Sequence, residues 1–138
     1  MSNTGVIVVS GVIVRDRHGR LLTVRKRATA RFMLPGGKPE PSETAADAAA
    51  RECAEEIGLR VAPDRLRPWG RFRSAAANED GYALEATLFG YDGVVDDIVP
   101  AAEIAEIRWL DVDVRPLPGD LAPLLVDHVI PVLTAADT

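Results

Sequence analysis

"GGKPEPSETAADAAARECAEEIGL", Gly36 to Leu59, holds the change of pattern that decides the fold. A Gly-Gly turn behind Pro35 closes the short apolar segment "FMLPGG". From about Ser42 the periodicity is helical as far as Gly58, a natural C-terminal glycine. Ser42 is expected to cap this helix, with Glu43 and Asp47 where the positive end of its dipole favours acids. On a helix over 42–58, Ala46, Ala49, Ala50, Cys53 and Ile57 share one side and must face a core. Glu52, Glu55 and Glu56 gather on the neighbouring side, with Ala45 and Ala48 a turn or two before them and Arg51 flanking.

Such glutamates most often form a solvated face, because Glu is a good surface helix former. Here no lysine follows four residues on, and acids at a helix C-terminus are electrostatically unfavourable. Three carboxylates sharing a site also raise one another's pKa unless a cation is present. The natural cation is hard and oxygen-seeking, Mg²⁺ or Mn²⁺, since His18 and His128 are remote in sequence and the lone Cys53 makes a poor zinc site. Mg²⁺ is typically held by carboxylates together with substrate phosphates, which implies a phosphorylated ligand.

Outward from this helix, "GVIVVSGVIVR" reads as a strand, "DRHGR" as a turn and "LLTVRKR" as its hairpin partner. "RLRPWGRFRSAA", "YALEATLFGYDG" and "EIRWLDV" read as further strands. "LAPLLVDHVIPVLTAA" reads as a C-terminal helix with Pro123 in its first turn and a kink at Pro131. This order predicts an α+β fold, a mixed sheet covered by helices on two faces. Its 138 residues fit a single domain over 1–138.

The net charge is −5, unevenly spread: residues 1–73 hold 14 of the 16 Lys/Arg against 8 acids, and residues 74–138 hold 13 acids. An acidic chain without a basic stripe argues against a nucleic-acid polymer as partner. The run "RKRATAR" reads either as a solvated loop or as a basic wall beside an anionic ligand. No stretch has the apolar length of a membrane helix, the start lacks a secretory leader's basic region, and a single cysteine suits a reducing cytoplasm.

Gly37, Glu43, Arg51, Glu52, Glu55, Glu56 and Gly58 together resemble the Nudix box, G-x5-E-x7-R-E-U-x-E-E-x-G-U, where U is a bulky aliphatic residue. All seven fixed identities are present; Cys53 stands at an aliphatic position and reads as a core residue. "FMLPGG" resembles the family's lead-in, and "EIAEIRWLDV" (Glu103 to Val112) its late acidic loop and Trp-bearing strand. The resemblance implies an α/β/α sandwich and Mg²⁺-dependent cleavage of a nucleoside diphosphate linked to another moiety. It assigns metal to Glu52, Glu55 and Glu56 with the Gly37 carbonyl, orientation of the glutamates to Arg51, and the helix start to Glu43. The general base is Glu56 first, with Glu55 or Glu103 as alternatives.

Subfamily positions that carry a proline or a tyrosine elsewhere hold Ala75 and Ala76 or Ala77, and an echo of the coenzyme A type fails on spacing and at Leu34. The implied substrate is therefore a (d)NTP or an oxidised nucleotide. ADP-ribose, nucleotide-sugar or dinucleotide hydrolysis, and a catalytically idle nucleotide sensor, are the alternatives. Arg25, Arg27 and Arg31 are candidates for phosphate contacts, with Arg71 and Arg73 behind them. Phe32, Trp69, Phe72, Tyr82 and Phe89 are candidates for stacking on a base, each more simply read as core. Family members often dimerise, and "LAPLLVDHVIPVL" suits either a core or a homodimer interface.

Overall fold

A computed structural model describes residues 5–79 and 81–135. Strand β1 (Val6–Arg15) turns back into β2 (Leu21–Lys26), and a two-residue β3 (Gly36–Gly37) precedes helix α1 (Ala45–Ile57). After a 3₁₀ turn at Pro63–Arg65 come β4 (Arg67–Ala75), β5 (Ala83–Val94), β6 (Ile104–Leu110) and a C-terminal helix ending in α2 (Ile130–Ala135). The sheet order is β4-β5-β1-β2-β6 with β3 paired to β1; β1 and β5 run parallel and the other pairs antiparallel. The mixed sheet of the α+β prediction is therefore present.

Alternation along the strands splits the core in two, as the period of two requires. Ile13, Leu21 and Leu88 pack with Val129, Ile130 and Leu133 of the C-terminal helix on one face. Val12, Val14, Leu22, Val24 and Phe89 pack with Cys53 and Ile57 of α1 on the other. The result is the expected α/β/α sandwich. The apolar C-terminal segment is largely core, with only Val126 and Val132 among its large apolar residues exposed. Among the described residues no helix is long and apolar enough to cross a membrane.

Two local readings are corrected. The N-cap of α1 is Thr44, not Ser42: its Oγ1 accepts from Asp47 N at 3.1 Å, while the Asp47 carboxylate accepts from Thr44 N at 3.1 Å. This reciprocal capping box needs the three-residue spacing that Thr44 and Asp47 provide, so the helix starts at Ala45. The C-terminal helix is not a regular α-helix throughout its length. It opens into a π turn at Leu125–Val129, where Ile130 N donates to Leu125 O. Pro131 has no N–H to return to Asp127, which leaves the preceding turn free to widen.

Candidate active site

The β1–β2 hairpin splays apart, and the segment before α1 threads between its arms. Met33 and Val24 exchange both backbone hydrogen bonds at 2.8 Å, and Val12 N donates to Pro35 O at 3.0 Å. Gly37 and Gly36 then pair with Ser10 and Gly11 of β1. This close approach explains the glycines. A Cβ on Gly36, whose φ is +156°, would lie 2.0 Å from Ser10 O, and one on Gly37 would lie 2.1 Å from Glu52 Oε2. The first clash is with backbone and the second with a carboxylate, so Gly36 serves the fold and Gly37 makes room for Glu52.

Arg51 organises the exposed side of the site. Its Nε and Nη2 donate to the two Glu43 oxygens at 2.7 and 2.9 Å, and Nη1 reaches Glu52 Oε2 at 3.3 Å and Glu55 Oε1 at 3.1 Å. Nη2 also donates to Lys38 O at 3.2 Å, tying the loop before α1 to the helix. The guanidinium holds the Glu43 carboxyl below its usual range. Burial pushes Glu52 upward despite Arg51 and Lys26 beside it.

Glu56 lies on the other side and is 1% exposed. Its Oε1 accepts from Gly36 N at 3.1 Å, whereas its buried Oε2 has no hydrogen-bond partner and lies 3.6 Å from Lys26 Nζ. Burial pushes its carboxyl up to about 7, against the pull of Lys26. Lys26 Nζ also lies 3.2 Å from Glu103 Oε1. Glu103 is held near the site by its backbone, since Arg27 N donates to Glu103 O at 2.8 Å and Ala101 N to Glu56 O at 2.9 Å.

The three box glutamates therefore divide between two cations. Glu52 and Glu55 turn to Arg51 and Glu56 to Lys26, and among the described residues no three acidic, His or Cys side chains form a ready-made cage. Like charges on one helix separate in this way when each finds its own counter-charge. The donor set nonetheless suits a hard divalent ion: it is all oxygen, and a buried Glu56 oxygen stands without a hydrogen bond. Ala48, expected to floor an acidic face, is fully buried, and so is Cys53, whose thiol burial pushes up to about 12. A thiol so raised is inert at neutral pH, as a core residue would be.

A cleft of about 430 Å³ is lined by Lys26, Gly37, Lys38, Arg51, Glu52, Glu79 and Glu103, among others. Lys26 and Glu79 are shared with an adjoining cavity of about 190 Å³, mostly apolar, walled by Met33, Leu34, Leu84, Ala122 and Leu125 with Asn78 at its rim. Of the arginines singled out from the sequence, Arg25 is bound to Glu106 and to Thr29 O, Arg31 donates to Leu121 O at 3.1 Å, and Arg27 is exposed. Phe32 and Phe89 are core, and Arg108 stacks over Phe32 at 3.8 Å. Sequence reasoning passed over Lys26 and Glu79. The one signal for Lys26 was its place in the basic run; Glu79 sits in the β4–β5 loop with no motif around it.

Residues 6–126, which include the threaded glycine pair and the capped, glutamate-bearing helix, match the NUDIX domain model. The chain belongs to the Nudix family of pyrophosphohydrolases. "Putative 8-oxo-dGTP diphosphatase 2" of Mycobacterium tuberculosis is 48% identical over 132 residues, covering 86% of this chain and 89% of that protein. A "MutT-like protein" of Streptomyces ambofaciens is 45% identical over 60 residues; the match covers 44% of this chain and 38% of that protein's length. In structure, the MutT protein from Methanosarcina mazei Go1 superposes with a TM-score of 0.71, covering 100% of this chain and 99% of that one. At 20% identity this likeness speaks for the fold.

Proposed function

We propose that the enzyme hydrolyses a pyrophosphate bond of a (d)NTP or an oxidised nucleotide such as 8-oxo-dGTP, with Mg²⁺, or Mn²⁺ in its place. The observation that carries this reading is Glu56: a buried carboxylate beneath the cleft, fixed by Gly36 N through one oxygen, its other oxygen without a hydrogen bond. Glu52, Glu56 and the Gly37 carbonyl would hold the ion, with Glu55 joining when it leaves Arg51. When bound, the ion supplies positive charge opposite the diphosphate and makes nearby water more acidic. The choice of an oxidised guanine nucleotide follows the mycobacterial relative's description as a putative 8-oxo-dGTP diphosphatase.

The chain's own residues do the remainder. The apolar cavity takes the flat base between Met33, Leu34 and Leu125, and Asn78 and Glu79 meet its polar edge. Lys26 and Lys38 on the cleft wall face the phosphates, with Arg27 outside them. Arg25 and Arg31 reach the substrate only by releasing Glu106 and the Leu121 carbonyl. Arg51 keeps the loop and helix in register, so that Glu52 and Glu56 do not move as charge develops. Glu56 ranks first as general base, one oxygen held by Gly36 N and the other free of hydrogen bonds. Glu103, across Lys26, is the alternative base.

The test is a panel of dNTPs, 8-oxo-dGTP, ADP-ribose and a dinucleoside polyphosphate with Mg²⁺, the products separated by chromatography. Nucleoside monophosphate and pyrophosphate from 8-oxo-dGTP are expected at the highest kcat/KM, with Glu56→Gln slower by about 10³-fold. Turnover untouched by Glu56→Gln would sink the site assignment, and no turnover on any nucleotide would favour an idle sensor.

A further inference from the structure

Glu56 does not itself line the cleft; Lys26 does. The ammonium stands between the open cleft and the buried carboxylate, 3.6 Å from Glu56 Oε2 and 3.2 Å from Glu103 Oε1. The longer of these distances gives Glu56 a counter-charge but no hydrogen bond. The backbone bonds from Arg27 to Glu103 and from Ala101 to Glu56 bring the three charged residues together. Among the described residues the only non-glycine positions of positive φ are Ala28, at 63°, and Ala102, at 55°. One follows Lys26 by two residues and the other directly precedes Glu103. Such backbone persists only where its surroundings over-determine it.

We propose that Lys26 is an internal stand-in for the metal ion: before loading, its ammonium supplies Glu56 with the counter-charge that the ion supplies afterwards. The inference rests on the reading of Glu56 as a metal-holding residue. A buried carboxylate without any cation would be costly, so the resting protein needs such a charge. Lysine suits the role better than arginine, since it is a compact point charge on a flexible stem and forms no planar fork that would lock it in place. A divalent ion arriving through the cleft meets this ammonium first, and the two positive charges exclude one another. Metal binding therefore displaces Lys26, and the freed side chain remains on the same cleft wall, where it faces the phosphates. The resting enzyme thereby holds metal more weakly than its carboxylates alone would, and loses little stability when the metal is absent.

The measurement is Mn²⁺ affinity without nucleotide, from the paramagnetic resonance signal of free Mn²⁺, for the wild type, Lys26→Met, Lys26→Arg and Glu56→Gln. Lys26→Met is expected to bind Mn²⁺ about tenfold more tightly than wild type, by relief of one like charge a few ångströms away. Lys26→Arg, which keeps the charge and adds a fork that resists displacement, is expected to bind no more tightly than wild type, and Glu56→Gln to bind more weakly. The metal-free melting temperature of Lys26→Met is expected to fall and to recover with Mn²⁺; should that variant not fold, Lys26→Gln takes its place. Tight, Glu56-dependent binding in the wild type that Lys26→Met leaves unchanged or weakens would overturn the stand-in and spare the metal site. Wild-type affinity indifferent to Glu56→Gln would overturn both.

Discussion

Two carboxylate clusters flank α1, each gathered by one cation, and they are built differently. Arg51 presents a planar fork whose donors reach Glu43, Glu52, Glu55 and a backbone carbonyl between 2.7 and 3.3 Å. Lys26 meets Glu56 and Glu103 at 3.6 and 3.2 Å and leaves a buried oxygen without a hydrogen bond. The first cluster is a saturated clamp that joins the loop at Lys38–Glu43 to the helix. The second is loosely held, with Glu56 buried and Glu103 exposed on either side of Lys26. The box residues on and beside α1 thus serve two purposes: Glu43 and Arg51 hold shape, while Glu56 keeps bonding capacity in reserve.

The contrast can be tested first through pH. Glu56 rises from an ordinary 4.5 to about 7 in the folded protein. Below pH 4.5 it is protonated in both states; between 4.5 and 7 the folded chain keeps a proton that the unfolded chain has released. Stability of the metal-free protein therefore falls as pH rises through this window and levels off above it, by up to about 3 kcal/mol. Denaturant melts from pH 5 to 8 are expected to show this fall in wild type and a smaller one in Glu56→Gln, where Glu52, also raised by burial, still contributes. A wild-type curve parallel to that of the variant would contradict the buried charge.

Breaking the clamp should have a smaller effect of another kind. Arg51→Ala leaves three carboxylates without their shared cation and frees the loop. It is expected to lower kcat/KM by about 10- to 100-fold, as loss of an orienting partner does, and stability by about 1–2 kcal/mol. Arg51→Lys restores the charge without the fork and is expected to recover only part of either loss. Full recovery would show that charge alone matters there. Smallest of all is Glu55→Gln in the metal-free protein: Glu55 is 52% exposed, and its pair with Arg51 should contribute less than about 0.5 kcal/mol. A larger destabilisation would make Glu55 part of the clamp and not a side chain waiting on its rim.

Much of this arrangement was legible in the chain itself. The helix, its terminal glycine and the succession of strands along the chain follow from periodicity and turn signals, and the box residues from the resemblance to the Nudix pattern, because those signals are local. What was not legible depends on contacts between distant segments. Lys26 is one cation in a run of basic residues, and only the splay of β1 from β2 and the backbone bond from Arg27 to Glu103 bring it to Glu56. Arg25 and Arg31 look equally available in sequence, yet Glu106 and the Leu121 carbonyl engage them. The separation of Glu55 from Glu56 is likewise invisible to a helical wheel that groups them, since burial against Gly36 acts on one and solvent on the other. The shift of the cap from Ser42 to Thr44 was within reach, because the spacing to Asp47 is written in the sequence.

The central claim is that the buried side of α1, and not its exposed acidic rim, holds the ion that serves the nucleotide. Anomalous diffraction from crystals soaked in Mn²⁺ tests it most directly. A peak within coordination distance of Glu56, Glu52 and the Gly37 carbonyl, with Lys26 moved aside, is the expected result. A peak confined to Glu55 or Glu79 on the outer rim, or none at millimolar Mn²⁺, would contradict it.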